Sequence, residues 1–252
     1  MKTTISKSTD EMGAAAAEIA RQKLGTAIFE RGVARLILST GESQFAVLKH
    51  LCGKDLEWDK VEIFHLDEYI GLSISHPASF CRYLKERVVD IVHPGKMHYI
   101  DGEGDVSATI ARVTTELRKA PIDIAFIGIG ENAHIAFNDP PADFNTSEAY
   151  AVVTLNETCK MQQVSEGWFP TVDDVPNSAI SMTVYQIMQS ETIISCVPGQ
   201  RKAIAVRETL SAPEVTNMIP ATKLREHKDW YLFLDSESAR LAEKDRASNR
   251  KI

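Results

Sequence analysis

The sequence predicts an α/β fold, a Rossmann-like three-layer α/β/α arrangement in which helices cover both faces of a mostly parallel sheet. Two observations favour this class. Strand-like and helix-like segments alternate along the chain, and the strand-like segments are continuously apolar, as in "VARLILST" and "IDIAFIGIG". Such strands are typical of parallel sheets with both faces covered. Because no internal repeat or low-complexity linker divides residues 1–252, we expect a single domain.

Apolar periodicity and turn residues place the individual elements in order. The first is an amphipathic helix over Thr9–Arg31, with Thr9 or Asp10 as the expected N-cap. The charged tail over residues 235–252 is expected to be solvated. Between these, we predict a strand at "VARLILST", a helix at "ESQFAVLKHLC", a strand at "VEIFHLDEY", helices at "PASFCRYLKERVVDIV" and "DVSATIARVTTELRKA", a strand at "IDIAFIGIG", further apolar runs at "AYAVVTL", "AISMTVYQIMQ", "ETIISCVPG" and "WYLFLD", and a helix at "QRKAIAVRETLSA".

Composition and charge narrow the class of protein. The chain is 44% hydrophobic and 25% charged, with a formal net charge of -7. An acidic chain without a long basic run does not favour nucleic acid or an anionic membrane as the main partner. Four widely spaced cysteines without a CxxC pair indicate buried thiols in a reducing compartment, not a disulfide framework or a metal site. Since no long apolar segment is present, we expect a soluble, cytoplasmic protein.

In folds of this class, ligands bind beyond the carboxyl ends of the strands, so the residues after each strand are the candidates for a site. After the first predicted strand, "STGESQ" places Thr40, Gly41 and Ser43 at the start of a helix. Backbone N–H groups and hydroxyls at such a position can bind an anion such as phosphate. The alternative is that Gly41 serves the turn and Ser43 caps the helix.

The second predicted strand ends in two adjacent acids, Asp67 and Glu68. Adjacent residues of an extended chain point to opposite sides, so one acid can lie in a cleft while the other pairs or contacts solvent. A carboxylate in a water-poor cleft has a raised pKa and can act as a general base. The alternative is that both acids only cap a helix or a turn.

The third predicted strand leads into "GIGENAHIAFNDPP", which formally matches the dinucleotide-binding pattern G-x-G-x-x-G/A. That pattern requires a helix directly after it, and the prolines at 140 and 141 leave little room for one, so we expect no cofactor. The glycines, including Gly130, instead let the backbone approach a ligand. Asn132, His134 and Asp139 then form a group suited to proton transfer, because an amide and a carboxylate orient the imidazole.

A fourth strand end, "VPGQRKA", places Lys202 at the start of a helix. A cation there is unfavourable beside the positive end of the helix dipole unless an anion lies between them. Lys202 is therefore a candidate phosphate ligand. The alternative is a solvated surface lysine.

Taken together, these motifs resemble the glucosamine-6-phosphate deaminase (isomerase) family, which shares its fold with the 6-phosphogluconolactonases. The resemblance covers the chain from about Val33 to about Arg207, in the same order. The matching segments are "STGES" with the phosphate loop TGG[ST], "HLDEYIGL...HPASF" with DEY-x-GL...HP-x-S, "GIGENAHIAFNDP" with G-x-G-x-[DN]-GHIAFNEP, and "GQRKA" with the G-x-x-KA segment of the phosphate-binding lysine.

The resemblance implies an enzyme that converts an amino-sugar phosphate, glucosamine 6-phosphate or galactosamine 6-phosphate, into a ketose 6-phosphate and ammonia. It implies no cofactor and no metal, and it leaves homo-oligomerisation open. The implied catalytic residues are Asp67 for proton transfer from C2 to C1 and His134 for ring opening, oriented by Asn132 and Asp139. The implied substrate contacts are Thr40, Gly41, Ser43, Glu68, Gly130 and Lys202.

The sequence also departs from the family pattern. Asp139 stands where Glu is usual, Glu42 and Ala133 stand where Gly is usual, and "MQQVSEGWFP" lacks the arginine expected at the phosphate. These changes concern the identity of the substrate more than the reaction class. Two alternative functions remain, a 6-phosphogluconolactonase-like hydrolase and a non-catalytic sugar-phosphate sensor.

Overall fold

The computed structural model describes residues 1–249. Its strands are β1 (Lys2–Ser6), β2 (Ala34–Leu38), β3 (Val61–His65), β4 (Asp67–Tyr69), β5 (Lys96–His98), β6 (Ile124–Phe126), β7 (Tyr150–Thr154), β8 (Ser178–Met182), β9 (Thr192–Val197) and β10 (Trp230–Asp235). Its α-helices are α1 (Thr9–Arg31), α2 (Phe45–Cys52), α3 (Phe80–Leu84), α4 (Asp90–Val92), α5 (Val106–Leu117), α6 (Glu157–Ser165), α7 (Val184–Ile187), α8 (Ala203–Ser211) and α9 (Ser236–Asn249).

A parallel sheet with the strand order β1-β10-β9-β6-β2-β3-β5 forms the centre of the molecule. Alternate residues of its strands enter two different cores. In β2, Ile37 packs into the core under α5, α8 and α9, whereas Leu36 and Leu38 pack into the core under α1 and α2. The predicted three-layer α/β/α class is therefore confirmed. None of the helices in the described residues is long and apolar enough to span a membrane.

Helix α1 has the predicted bounds, Thr9–Arg31, but its N-cap differs from the prediction. The N-cap is Ser8, whose hydroxyl accepts a hydrogen bond from the backbone N–H of Glu11 at 3.2 Å. The prediction of Thr9 or Asp10 was wrong because both side chains have other partners. Thr9 donates to Asp235, and Asp10 pairs with His50 across the α1–α2 contact.

Both ends of the chain contribute elements that the sequence did not predict. Strand β1 pairs in parallel with β10 at one edge of the sheet. The tail forms α9, and its first turn buries Ser238 and Ala239 against the core. The prediction of a solvated tail was therefore wrong for this turn. Its last residues, 250–252, lie outside the described part of the chain.

The segment predicted as one strand over residues 61–69 is divided between two sheets. Strand β3 belongs to the main sheet, and β4 pairs with β8 in a small antiparallel sheet of order β4-β8-β7. The change occurs at Leu66, whose carbonyl accepts a hydrogen bond from the N–H of Met182 at 2.7 Å. Asp67 consequently lies just beyond the carboxyl end of the main sheet. The helix predicted over residues 77–92 is also interrupted, by a π-helical turn at Lys85–Val89.

Candidate functional site

A cleft of about 990 Å³ lies beyond the carboxyl ends of the parallel strands. Four of the stretches that line it follow β2, β3, β6 and β9, the four strand ends that the sequence singled out. Of the predicted site residues, Thr40, Gly41, Ser43, Asp67, Gly130, His134 and Lys202 line the cleft. Asn132 and Asp139 contact His134 without lining it, and Glu68 lies elsewhere.

Two similar helix starts line the cleft. Gly41 has φ 95° and ψ 167°, and Gly199 has φ 88° and ψ 154°, a region that only glycine enters easily. Each glycine precedes a 3₁₀ turn, Glu42–Gln44 or Gln200–Lys202, that leads into α2 or α8 without a side-chain cap. Uncapped N–H groups and the positive ends of two helix dipoles therefore converge where an anion can bind.

Lys202 ends the second of these 3₁₀ turns and lines the cleft. The residue is partly buried, and its ammonium group makes no hydrogen bond or ion pair with the residues that the structure describes. Burial lowers the pKa of Lys202, although the charges of Glu166 and Glu131 oppose that effect. An ammonium group that is partly removed from water and has no described partner is stabilised by a bound anion, which favours the predicted role of Lys202 as a phosphate ligand.

Asp67 is buried, with 6% of its surface exposed. Burial, and then the charge of Glu68, raises the pKa of Asp67 from 3.8 to about 8. The carboxyl group is therefore close to its titration point near neutral pH, which is the range in which a general base is effective.

Glu68 has a structural position instead of a place in the cleft. Its carboxylate accepts hydrogen bonds from the Ser79 hydroxyl and from the N–H of Cys81, both at 2.8 Å, and from the N–H of Phe80 at 3.2 Å. It also accepts from the N–H of Tyr69 at 2.9 Å. Glu68 therefore caps α3, and the predicted contact between Glu68 and a substrate is corrected to this helix-capping role.

His134 belongs to a hydrogen-bonded group of three side chains. The amide Nδ2 of Asn132 donates to Oδ1 of Asp139 at 2.9 Å. The amide Oδ1 of Asn132 is therefore left to accept a hydrogen bond from Nδ1 of His134 at 2.6 Å. Oδ1 of Asp139 also lies 3.2 Å from the same ring nitrogen. This network assigns the proton to Nδ1 and leaves Nε2 of the imidazole as a proton acceptor.

Asp139 is favoured in its ionised form beside Nδ1 of His134. Burial opposes its ionisation, but hydrogen bonding and charge from His134, together with the Asn132 amide, outweigh that effect and lower the pKa of Asp139. An ionised Asp139 stabilises the imidazolium that forms when His134 takes up a proton. The shorter aspartate therefore reaches Nδ1 in spite of replacing the glutamate usual in the resembled family.

Gly130 brings the backbone directly against the His134 ring. A Cβ atom at Gly130 would overlap the ring atoms Cε1, Nε2 and Nδ1. The turn is closed by a hydrogen bond from the N–H of Gly130 to the carbonyl of His134 at 2.9 Å, with Ala133 at a φ of 63°. Since no helix follows within residues 131–142, the motif lacks the helix that dinucleotide binding requires.

Sequence reasoning missed one wall of the cleft, which comes from α6 and the segment after it. Glu166 lies on this wall, and its carboxylate accepts from Gln162 Nε2 at 2.8 Å and from the Trp168 indole N–H at 3.2 Å. An acidic residue thus occupies the segment in which the resembled family has an arginine. The strand that precedes this wall, β7, belongs to the small antiparallel sheet, whereas the strand-end criterion concerns the parallel strands.

Asp235 was also missed, although the strand-end criterion applies to it. It ends β10, and its carboxylate accepts from the N–H of Gly199 at 2.9 Å, from the N–H of Ser238 at 2.8 Å and from the Thr9 hydroxyl at 3.0 Å. Gly199 and Thr9 both line the cleft. Asp235 therefore fixes the loop that carries Lys202.

Comparisons with known proteins identify the family of the chain. The sequence model of the family described as glucosamine-6-phosphate isomerases/6-phosphogluconolactonase matches residues 7–232. A glucosamine-6-phosphate deaminase of Streptococcus uberis is 31% identical over 243 residues, which are 95% of this chain and 98% of the relative.

Solved structures give the same result. A glucosamine-6-phosphate deaminase described as monomeric superposes with a TM-score of 0.88 and 29% identity, covering 96% of this chain and 100% of its own. A 6-phosphogluconolactonase from Shewanella baltica gives a TM-score of 0.77 at 18% identity, over 93% of this chain and 97% of its own, and so shares the fold. The chain belongs to the glucosamine-6-phosphate isomerase/6-phosphogluconolactonase family.

Proposed function

We propose that the protein is a glucosamine-6-phosphate deaminase-type enzyme, which converts an amino-sugar 6-phosphate and water into a ketose 6-phosphate and ammonia. One observation carries the proposal. Asp67, whose pKa is raised to about 8, lines the same cleft as His134 and as Lys202, whose ammonium group has no partner in the described part of the chain. A base, a proton shuttle and an anion site are the three parts that this reaction needs.

Ring opening is assigned to His134. With the proton on Nδ1, Nε2 of the imidazole takes the proton of the C1 hydroxyl, and the resulting imidazolium then gives a proton to the ring oxygen as the C1–O5 bond breaks. Asn132 and Asp139 keep the ring oriented, and the ionised Asp139 stabilises its charged form. The product of this step is the open-chain aldehyde.

Proton transfer between carbon atoms is assigned to Asp67. Its carboxylate takes the proton from C2, which the neighbouring aldehyde makes acidic, and the C1 carbonyl becomes an enolate. The carboxylic acid returns the proton to C1, and an imine forms at C2 as one proton of the amino group passes to the C1 oxygen. Water adds to this imine, and ammonia leaves to give the ketone. Because the substrate's own aldehyde supplies the electron sink, these steps require no cofactor.

The phosphate is assigned to the two helix starts and Lys202. We expect Lys202→Met to raise KM for the amino-sugar phosphate by roughly 10- to 100-fold, because a charge-assisted hydrogen bond from a desolvated ammonium is lost. Steady-state kinetics of ammonia release measure this. Lys228→Met is the control, since Lys228 pairs with Glu191 on the surface outside the cleft. An unchanged KM for Lys202→Met would place the phosphate elsewhere.

The decisive test is ammonia release from glucosamine 6-phosphate and galactosamine 6-phosphate, measured side by side with the purified protein. Release from either sugar, lost in Asp67→Asn, supports the deaminase and identifies the epimer. If the protein were a lactonase, the wild type and Asp67→Asn would both hydrolyse 6-phosphogluconolactone, because lactone hydrolysis removes no proton from C2. Binding of either sugar phosphate without turnover would instead support a sensor.

The reaction should also depend on pH in a defined direction. Asp67 is an active base only when ionised, and its pKa is raised to about 8 by burial and by Glu68. We therefore expect kcat/KM for ammonia release to rise by up to about tenfold per pH unit below that value and to level off above it. A profile that is flat between pH 6 and pH 9 would contradict the assignment of Asp67 as the base.

A further inference from the structure

A second group of ligand-type side chains lies away from the cleft, under helix α5. Glu62 of β3, His98 of β5 and Glu116 of α5 each place one nitrogen or oxygen atom within 4.8 Å of the others. None of the three lines the cleft. The group joins the edge strand β5 to its neighbour β3 and to the helix that covers them.

His98 carries the free ligand atom. The residue is 4% exposed, and Nε2 of its ring is buried without a hydrogen-bond partner in the part of the chain that the structure describes. Its ring stacks on Phe64 with a centroid distance of 4.2 Å, which fixes its orientation. A buried imidazole nitrogen that is oriented in this way can serve as a metal ligand.

Glu62 is oriented by a buried arginine. Nε of Arg35 donates to Oε2 of Glu62 at 2.8 Å, which leaves Oε1 directed toward His98, 3.3 Å from Nε2. Arg35 is itself held by the carbonyls of Leu117 at 2.9 Å and Glu116 at 2.6 Å. One side chain therefore positions both the first carboxylate and the end of the helix that carries the second.

We propose that Glu62, His98 and Glu116 form a binding site for a divalent transition metal, with Zn²⁺ as the ion that fits best. One imidazole nitrogen and two carboxylate oxygens are ordinary zinc ligands, and water completes a tetrahedron. Zinc bonds of about 2.0–2.1 Å place two tetrahedral ligands about 3.3 Å apart. The observed separation between His98 Nε2 and Glu62 Oε1 is 3.3 Å. The bound ion would fasten edge strand β5 and α5 to the sheet.

Two lysines compete with the metal for Glu116. Nζ of Lys119 lies 2.6 Å from one carboxylate oxygen, and Nζ of Lys96 lies 3.1 Å from the other. Both lysine side chains are more than half exposed, at 58% and 51%, so each can move into water at little cost. Only Arg35 is fixed, and it bonds the Glu62 oxygen that points away from His98.

The test uses the full chain, freed of metal with a chelator and kept reduced. Zinc binding is titrated by calorimetry, and thermal unfolding is followed with and without ZnCl₂, for the wild type, Glu116→Gln and His98→Gln. His50→Gln is the control, because His50 also pairs with a carboxylate, that of the exposed Asp10. Glu116→Gln changes a partly exposed side chain on a helix, so it tests the site even where His98→Gln does not fold.

We expect the wild type and His50→Gln to bind one zinc equivalent that Glu116→Gln and His98→Gln lack. At a zinc concentration about a hundredfold above Kd, that equivalent should raise Tm by roughly 5–10 °C. Equal stoichiometry in the wild type and Glu116→Gln, or no binding at all, would overturn the proposal. Zinc bound in the cleft through His134 would survive both substitutions and would therefore also count against it.

Discussion

Asp67→Asn will reduce ammonia release from the amino-sugar phosphate by roughly 10²–10⁴-fold, the range typical of losing a general base. The amide keeps the size of the side chain but cannot accept the C2 proton. Because Asp67 is buried at the point where the chain passes from the main sheet into β4, no other described side chain at that strand end replaces it. Neighbouring Glu68 is fully engaged in capping α3.

Coupled assay of ammonia release measures the effect, and Asp59→Asn is the control, the same change at an exposed aspartate outside the cleft. The control should retain full activity. If Asp67→Asn kept more than about a tenth of the wild-type rate, the C2 base would have to be another residue of the cleft.

The same substitution should stabilise the fold at neutral and alkaline pH. In the folded protein the pKa of Asp67 is raised from 3.8 to about 8, so the folded state binds more protons than the unfolded state between these values. Stability therefore falls as pH rises from about 4 to about 8 and is then constant. Asparagine does not titrate, so the variant avoids this loss, which is on the order of a few kcal/mol at pH 8.

Urea unfolding of the wild type and Asp67→Asn at pH 5 and at pH 8 tests the direction in which the stability difference changes with pH. The stability difference in favour of the variant should be larger at pH 8. A difference that stays the same or shrinks with rising pH would mean that Asp67 is ionised in the folded protein well below pH 8.

Gly130→Ala is expected to reduce activity as strongly as His134→Gln, by roughly 10²–10⁴-fold. The new methyl group would overlap the imidazole ring, so the ring must leave the position in which Asn132 and Asp139 hold it. The substitution adds only one carbon atom, so we attribute the expected loss of activity to the changed orientation of the His134 ring. Steady-state kinetics of ammonia release measure it.

Gly128→Ala is the comparison from the same loop. A Cβ atom there would lie 3.5 Å from Nε2 of Gln44, an ordinary van der Waals contact. Its activity should therefore fall much less than that of Gly130→Ala. Equal losses in both variants would show that the loop tolerates no added methyl group and that the contact with His134 is not the reason.

The strand ends explain why much of the cleft could be predicted. Continuously apolar strands can be recognised in the sequence. Because parallel strands end at the same edge of the sheet, polar residues that follow them come together in any fold of this class. Thr40, Asp67, His134 and Lys202 were found in this way and line one cleft. The sequence could not decide between Asp67 and Glu68, because alternation along a strand shows only that the two side chains diverge.

The features of the fold and the cleft that could not be predicted depend on contacts between segments distant in sequence. Glu68 became a helix cap because Ser79 and Cys81, more than ten residues away, supply the donors. The α6 wall follows β7, a strand of the small antiparallel sheet, so the rule for the ends of parallel strands did not point to Glu166. Strand β1 has the polar sequence "KTTIS" and is held by pairing with β10. No local sequence pattern predicts this pairing.

The contacts of Asp235 extend the structure that supports the cleft beyond the segment that the family model matches. The family match spans residues 7–232, and it leaves out β1, the end of β10 and all of α9. A polypeptide trimmed to those limits would keep Gly199 and Thr9 but lose the carboxylate that joins them. It would also leave β10 as an open sheet edge, which invites association with other chains. The segments β1 and α9, remote from each other in sequence, thus cover β10 and, through Asp235, hold one side of the cleft.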